Sequence, residues 1–354
     1  MPTLNDTVWR EQDTTPAAIE SALRELLIER HAESEFYVPA RVLNLVCVVE
    51  REWSGEIANR LRAVGRFHPS RTIVCSIGPN RSTLDAIATV AASANPEAGS
   101  LALTRETVVI DVGTRHIPHL DTIIDPLVVT DLATMVWAPH GHWDAVDALR
   151  GISQIVLVDS VDDPDVAGAL RRATDLLVDR NVVDLAWIRS APWRERIAAT
   201  FDSPHRRPEL DKIRGVELLH HPYSGAAALL LCGWLTSRLG WQPAPLTLPE
   251  PGRATGTVGG PGGDVEITLQ SVPLDVPGLS ALTLRMEDGS SLSLERGRGG
   301  LRATRRTPAG DARSWTLLGA SRGEGGILGE GIRQALMRDP IYGPALRATA
   351  GLLA

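Results

Sequence analysis

A chain of 354 residues is longer than one hydrophobic core usually organises, so two domains are expected. With 43% hydrophobic and 22% charged residues it has the composition of a globular protein, not of a disordered or fibrous one. A net charge of −7 speaks against nucleic acid as the main partner, because a phosphate backbone needs a basic field. The opening Met1-Pro2-Thr3-Leu4-Asn5-Asp6 lacks the basic-then-apolar pattern of an export leader. Further along, the most apolar run, 226–235, is well short of the roughly 20 residues a spanning helix requires. The chain is therefore read as cytoplasmic, with no membrane partner. Its three cysteines, Cys47, Cys75 and Cys232, each lie among apolar residues and read as small buried side chains.

Thr15-Pro16 opens a first helix, with a threonine cap and a proline where its missing N–H costs nothing. Ile19, Leu23, Leu26 and Leu27 then recur on one face. The almost unbroken apolar run 42–49, interrupted by Asn44, predicts a central strand covered on both sides. A helix over 54–64 and strands over 72–77, 107–112, 134–137 and 154–158 follow. Pro164 opens a helix reaching to about 180, then come a short strand at 184–188 and a helix over 192–201. Strands alternating with helices predict a doubly wound α/β domain over 1–203, with a mostly parallel sheet and helices on both faces.

From the turn-rich connector Asp202-Ser203-Pro204-His205-Arg206-Arg207-Pro208 onward the pattern changes. A helix over 224–239 ends at Gly240, a suitable left-handed cap. The proline- and glycine-dense stretch 243–263 reads as an exposed loop. Short alternating runs at 265–269, 281–286, 291–294, 301–305 and 315–318 then predict strands. Asp288-Gly289 gives the signature of a hairpin turn between two of them. A last amphipathic helix carries Leu328, Ile332, Ala335 and Leu336 and stops at Asp339-Pro340. Residues 204–354 are thus expected to form a smaller α+β domain with an antiparallel sheet and terminal helices.

Chemistry-bearing residues are scattered. In an open parallel sheet, ligands bind beyond the carboxyl ends of the strands, where Asp111, Asp159 and the loop after Trp137 fall. Asp159 with Ser160 and Asp162-Asp163 could meet a ribose, a metal or a partner arginine, or could simply begin the next helix. Asp111-Val112-Gly113-Thr114 resembles the phosphate hairpin of sugar kinases, yet about 110 residues precede it, where that fold has few. His116, His119, His140 and His142 could hold zinc, but Pro118 keeps the first pair off one helical turn and no cysteine is close; they read as loop histidines. No Gly-x-Ser-x-Gly elbow is present. A Gly-x-x-x-x-Gly-Lys loop is impossible, since Asp211 precedes the only lysine, Lys212, and the glycines of 323–331 do not follow an apolar strand. No catalytic residue, metal or cofactor is assigned.

Two segments stand out instead. Arg66, His68, Ser70 and Arg71 form the best polar cluster, able to clamp a phosphate or a partner carboxylate, or else to form a solvated turn. The segment from Asp125 through Asp131 to Trp137 leads from a loop into a strand. Nine tryptophans make an unusual aromatic set. Trp187 and Trp193 flank a strand–helix junction, and Trp234 and Trp241 bracket Gly240; such residues serve either as interface anchors or as core.

Taken together, four segments resemble the OpcA family, known as glucose-6-phosphate dehydrogenase assembly or effector proteins. They are Arg66-x-His68-Pro69-Ser70-Arg71; Asp125-Pro126-Leu127 to Trp137; Asp184-Leu185-Ala186-Trp187-x-Arg189 with Pro192-Trp193-Arg194; and Gly233-Trp234-Leu235-x-Ser237-Arg238-Leu239-Gly240-Trp241. Asp339-Pro340-x-Tyr342 extends the likeness to the C-terminal part. One departure is Ala133-Thr134-Met135-Val136-Trp137-Ala138, with a single tryptophan where the family tends to carry an adjacent pair. The resemblance implies a non-catalytic partner that binds glucose-6-phosphate dehydrogenase and promotes its active oligomer or its substrate affinity, feeding the oxidative pentose phosphate pathway and NADPH supply. Under that reading Arg66, His68, Ser70, Arg71, Asp125, Asp131, Trp137, Trp187, Trp193 and Trp241 are the candidate contact residues. The alternative is an α/β enzyme or metabolite-sensing module for a sugar phosphate or nucleotide.

Overall fold

A computed structural model describes residues 7–33, 37–39, 41–64, 69–92, 102–161, 163–318 and 323–353. The chain forms two compact units: Met1–Val158 with Asp179–Val183 and Glu324–Met337, and Asp159–Val178 with Asp184–Gly323 and Arg338–Ala354.

The first is built on a nine-stranded sheet of β1 (Thr7–Glu11), β2 (Tyr37–Pro39), β3 (Leu43–Glu50), β4 (Ser70–Gly78), β5 (Asp85–Ala92), β6 (Ala102–Gly113), β7 (Thr134–Trp137), β8 (Ile155–Val158) and β9 (Asn181–Asp184). Their order is β1-β5-β6-β4-β3-β7-β8-β9, with β2 on β6. The pairs β6–β4, β4–β3, β3–β7, β7–β8 and β2–β6 are parallel, while β5 runs antiparallel to both β1 and β6. Chain order reverses beside β3, which makes the gap between β3 and β7 the switch point of a doubly wound sheet. Every residue of β4 and all but the last of β3 are buried, as strands covered on both faces must be.

The helix Pro16–Glu33 begins as its sequence demands: the Ala18 N–H donates to Thr15 Oγ1 at 3.2 Å, and Ile19, Leu23 and Leu26 turn into the core. β5 alternates buried Ala86, Ala88 and Val90 with more exposed neighbours, a period-two signal too alanine-rich to stand out. The helix Gly323–Ala335 buries Leu328, Ile332 and Ala335, but Leu336 lies past its end and is exposed, contrary to expectation.

The second unit holds an eight-stranded sheet, β10 (Ile213–His220), β11 (Thr247–Glu250), β12 (Arg253–Gly260), β13 (Gly263–Ser271), β14 (Leu279–Met286), β15 (Ser291–Gly297), β16 (Gly300–Arg306) and β17 (Ala312–Leu318), in the order β11-β12-β13-β10-β14-β15-β16-β17. Of its seven neighbouring pairs, β10–β13 is parallel and the other six are antiparallel. β14 and β15 are joined by the Asp288-Gly289 turn, with Gly289 at φ +83°. The helix Gly225–Arg238 is apolar nearly all round, packs on β10 and β13, and ends at Gly240 with φ +66°. On its other side lies the helix Tyr342–Leu353. Gly233 permits that approach, since a Cβ there would stand 2.0 Å from Thr349 Oγ1 and 2.5 Å from the Ala345 carbonyl oxygen.

Two further expectations are corrected. The stretch 243–263 is not a loop but carries β11 and β12; glycines are tolerated near a sheet edge, and Gly256 lets Leu246 close over the strand. Residues 184–188 are not a strand. β9 ends at Asp184, whose carboxylate caps the one-turn helix Leu185–Arg189 by accepting from the Ala186 N–H at 2.9 Å.

Candidate functional site

At the amino ends of β3 and β4 the two segments singled out in the sequence meet. Arg71 donates from Nε to Glu106 Oε2 at 2.8 Å and from Nη1 to the Leu127 carbonyl at 2.9 Å. Arg41 pairs with the other oxygen of Glu106, so a carboxylate only 2% exposed is held between two guanidiniums. Asn44, the polar break in β3, donates to the Val129 and Leu132 carbonyls at 3.0 and 3.3 Å and accepts from the Val129 N–H at 2.9 Å. Arg71 and Asn44 thus staple the loop after Asp125 to the sheet from beneath. Asp125 and Asp131 are exposed on that loop, whereas Ser70 is buried with its Oγ 3.1 Å from Thr72 Oγ1. Arg66 and His68 lie outside the described residues.

At the opposite, carboxyl ends lies the switch point. There Glu50 Oε1 is 3.5 Å from His142 Nε2, the Trp53 and His140 rings are 5.5 Å apart, and the Arg60 guanidinium stands 5.7 Å above the Trp137 ring. Trp137 itself is 1% exposed. Burial, followed by the neighbouring His142, pushes the His140 pKa down. A dinucleotide-binding sheet presents a glycine turn and an uncluttered helix N-terminus here. This chain presents Glu50, Glu52 and Glu56, whose charge opposes a phosphate.

The remaining acids are already engaged. Asp111 faces Arg81 at 3.6 Å and Arg51 at 3.8 Å. Gly113 serves packing, since a Cβ would stand 2.0 Å from the Arg81 carbonyl oxygen, and a helical turn follows it, not a phosphate hairpin. His116 Nδ1 accepts from the Gly113 N–H at 2.9 Å. Among the described residues no three His, Cys, Asp or Glu side chains converge as a metal site.

In the second unit, the 184–194 and 339–342 motifs form one cluster. Asp184 accepts from Ser160 Oγ at 2.6 Å, the Ser160 N–H at 3.2 Å, the Ala186 N–H at 2.9 Å and the Tyr342 hydroxyl at 3.2 Å. Burial outweighs these bonds and pushes its pKa up to about 6. Trp187 Nε1 donates to Asp339 Oδ2 at 2.7 Å, and the Arg194 guanidinium stacks 3.3 Å from the Trp187 ring centroid. Burial pulls the Arg194 pKa down to about 10. Asp159 makes a bidentate pair with Arg189, both bonds 2.7 Å. Trp187, Trp193 and Trp241 are all buried, so their surfaces are spent on the core of this unit. Glu106 and Arg41 went unnoticed in the sequence; an acid inside the valine-rich run of β6 was the available signal.

Two family models match in succession. One described as glucose-6-phosphate dehydrogenase subunit N-terminal domain covers residues 61–175, and one described as the subunit's C-terminal domain covers 180–346. Among individual proteins, an OxPP cycle protein OpcA of Synechococcus elongatus is 30% identical over 142 residues, 39% of this chain and 32% of the relative. An OxPP cycle protein OpcA of Nostoc punctiforme is 36% identical over 126 residues, 34% of this chain and 27% of the relative. The matched stretches therefore span about a third or less of those relatives. Of solved structures, the transcriptional regulator Gal80p of Kluyveromyces lactis aligns with TM-score 0.49 and 10% identity, covering 88% of this chain and 87% of its own. A myo-inositol dehydrogenase of Lactobacillus casei aligns with TM-score 0.47 and 11% identity, covering 88% and 93%.

Proposed function

This chain belongs to the OpcA family, and on that premise we propose that it is a non-catalytic effector of glucose-6-phosphate dehydrogenase. In this reading it binds the enzyme and favours its active oligomer or its substrate-competent state, within the oxidative pentose phosphate pathway. The observation that carries the reading is the pair of subunit-domain matches following one another along the chain. The chemistry of the candidate sites agrees with it. The acids flagged for catalysis are held by arginines or buried, and the switch point carries glutamates where a phosphate would need amides.

The contact surface we place on the loop carrying Asp125 and Asp131. Its backbone is set from below by Arg71 and Asn44, so it meets a partner already ordered, which lowers the entropic cost of docking. To act as an effector, the chain must bind one state of the enzyme more tightly than another. A coupling of about 1–3 kcal/mol corresponds to a roughly 5–150-fold change in substrate affinity. The reading is tested by co-sedimentation with the dehydrogenase from the same organism. A complex is expected, weakened about tenfold or more by Asp125→Arg combined with Asp131→Arg. No complex at micromolar concentrations of both proteins would refute it.

A further inference from the structure

The sheet of the second unit ends in an unmatched edge. β17 bonds to β16 alone, through seven residues paired without a register shift. The hairpin between them closes with the Thr307 N–H donating to the Asp311 carbonyl at 2.9 Å. That bond sets the phase of the antiparallel ladder. Arg313 with Arg305, Trp315 with Ala303 and Leu317 with Leu301 exchange bonds, while Ala312, Ser314 and Thr316 turn their N–H and C=O groups away from β16. All three of these residues are exposed, and among the described residues nothing meets their outward backbone groups. The next carbonyl in phase, that of Leu318, accepts from Arg196 Nη2 at 2.8 Å, which ends the open tract. The opposite edge of the sheet is guarded: β11 has four residues, and Pro249 among them has no N–H to offer. β17 contains neither proline nor glycine.

The charge beside this edge is mostly of one sign. Residues 296–313 contain six arginines and one acid, Asp311, in a chain of net charge −7. Arg305 is taken by Glu209 at 2.6 Å, on the face where Ala303 is buried. Arg302 and Arg306 lie on the other face, in register with Thr316 and Ala312, as Thr304 is with Ser314. Arg302, Arg306 and Arg313 are exposed and pair with no acid among the described residues. Because Ala312, Ser314 and Thr316 are short, the Arg302 and Arg306 guanidiniums have room to reach over β17 toward a strand laid beyond it, about 10 Å from β16. Arg313, on the opposite face, stands directly beside such a strand. A second copy of β17 would bring two basic edges together, which disfavours self-pairing. We propose that β17 is a docking edge for an extended acidic segment of a partner protein, which adds to the sheet as one more strand. Laid antiparallel, it exchanges a pair of main-chain bonds with each of Ala312, Ser314 and Thr316, while Arg302, Arg306 and Arg313 select its charge. This inference stands apart from the dehydrogenase reading, which rests on the loop carrying Asp125 and Asp131.

The probe is the peptide Thr-Glu-Val-Thr-Glu-Glu-Thr, labelled with fluorescein at its amino end and amidated at its carboxyl end. In an antiparallel register its acids fall opposite Thr316, Arg313 and Ala312. Fluorescence anisotropy with the full chain should show saturable binding with a dissociation constant of about 100 μM or tighter at low salt, weakening as salt is added. A peptide with lysine at the glutamate positions should bind about tenfold more weakly, and so should the acidic peptide N-methylated at the residues that bond to β17. Ser314→Pro removes one outward N–H and leaves the bonds to β16 in place, so binding should fall about tenfold while the thermal transition stays near that of wild type. The N-methylated peptide reads the same bonds without altering the chain. By hydrogen exchange, the Ser314 and Thr316 amides should be open in the chain alone and protected with the peptide bound. No binding of the acidic peptide, equal binding of the lysine peptide, or indifference to N-methylation would each overturn the proposal. So would amides already protected in the chain alone at micromolar concentration, which would give the edge to a second copy.

Discussion

Arg71 separates two views of the most prominent polar segment, an exposed anchor for a partner or an internal staple. Replacing it with alanine removes the 2.8 Å bond to Glu106 and the 2.9 Å bond to the Leu127 carbonyl. Breaking a buried pair by deleting one partner costs about 3–5 kcal/mol. Arg41 remains on the other carboxylate oxygen, which puts the loss at the lower end, and the orphaned carbonyl adds about 1 kcal/mol. Arg71→Ala should therefore destabilise the first unit by about 3–4 kcal/mol. At about 2–4 °C per kcal/mol, its thermal transition should fall by about 10 °C. Arg71→Lys keeps the charge but not the fork that reaches both acceptors, so it should fall in between. Urea and thermal unfolding followed by circular dichroism would read this out, with Asp131→Ala as the surface control expected within about 0.5 kcal/mol of wild type. If Arg71→Ala unfolds like wild type, the staple is wrong and the guanidinium is free for other work.

Asp184 should leave a signature in pH. Its folded-state pKa of about 6 lies above the 3.8 of an ordinary aspartate, so the neutral form is the stabilised one; that contribution is present in acid and lost as pH rises through about 6. Between about pH 7.5 and about pH 4.5, wild type should gain about 2 kcal/mol over Asp184→Asn, measured by urea unfolding of both; a pH-independent difference would contradict the assignment. Cys47, Cys75 and Cys232 are fully buried, and burial pushes Cys75 and Cys232 up to about 12 and Cys47 well above its ordinary value. No thiol should react with a maleimide or disulfide reagent in the native chain, and all three should react in denaturant. Stoichiometric labelling of any one under native conditions would contradict this burial.

Much of the first sheet was legible because β3 and β4 are largely apolar, a pattern that strands covered on both faces tolerate. β10 escaped because Arg214, Gly215 and Glu217 interrupt its apolar rhythm; Gly215 and Glu217 lie on the face away from the helix Gly225–Arg238, where Gly215 makes room for Arg285. Leu185-Ala186-Trp187-Ile188 reads as a strand by composition, and only the Asp184 cap turns it into a helix. In the candidate sites, sequence identified residue types but not their direction. Arg71 finds its carboxylate 35 positions away, and Trp187 finds Asp339 152 positions away, so neither pairing has a local signal. The tryptophans read as possible anchors and prove to be core for the same reason: burial is decided by the whole fold.

The most direct measurement is the steady-state kinetics of glucose-6-phosphate dehydrogenase titrated with this chain. A saturable, at least fivefold change in KM for glucose 6-phosphate or in maximal rate is expected, with no turnover by the chain alone. An enzyme whose KM, rate and oligomeric size stay the same at saturating concentrations of the chain would contradict the account.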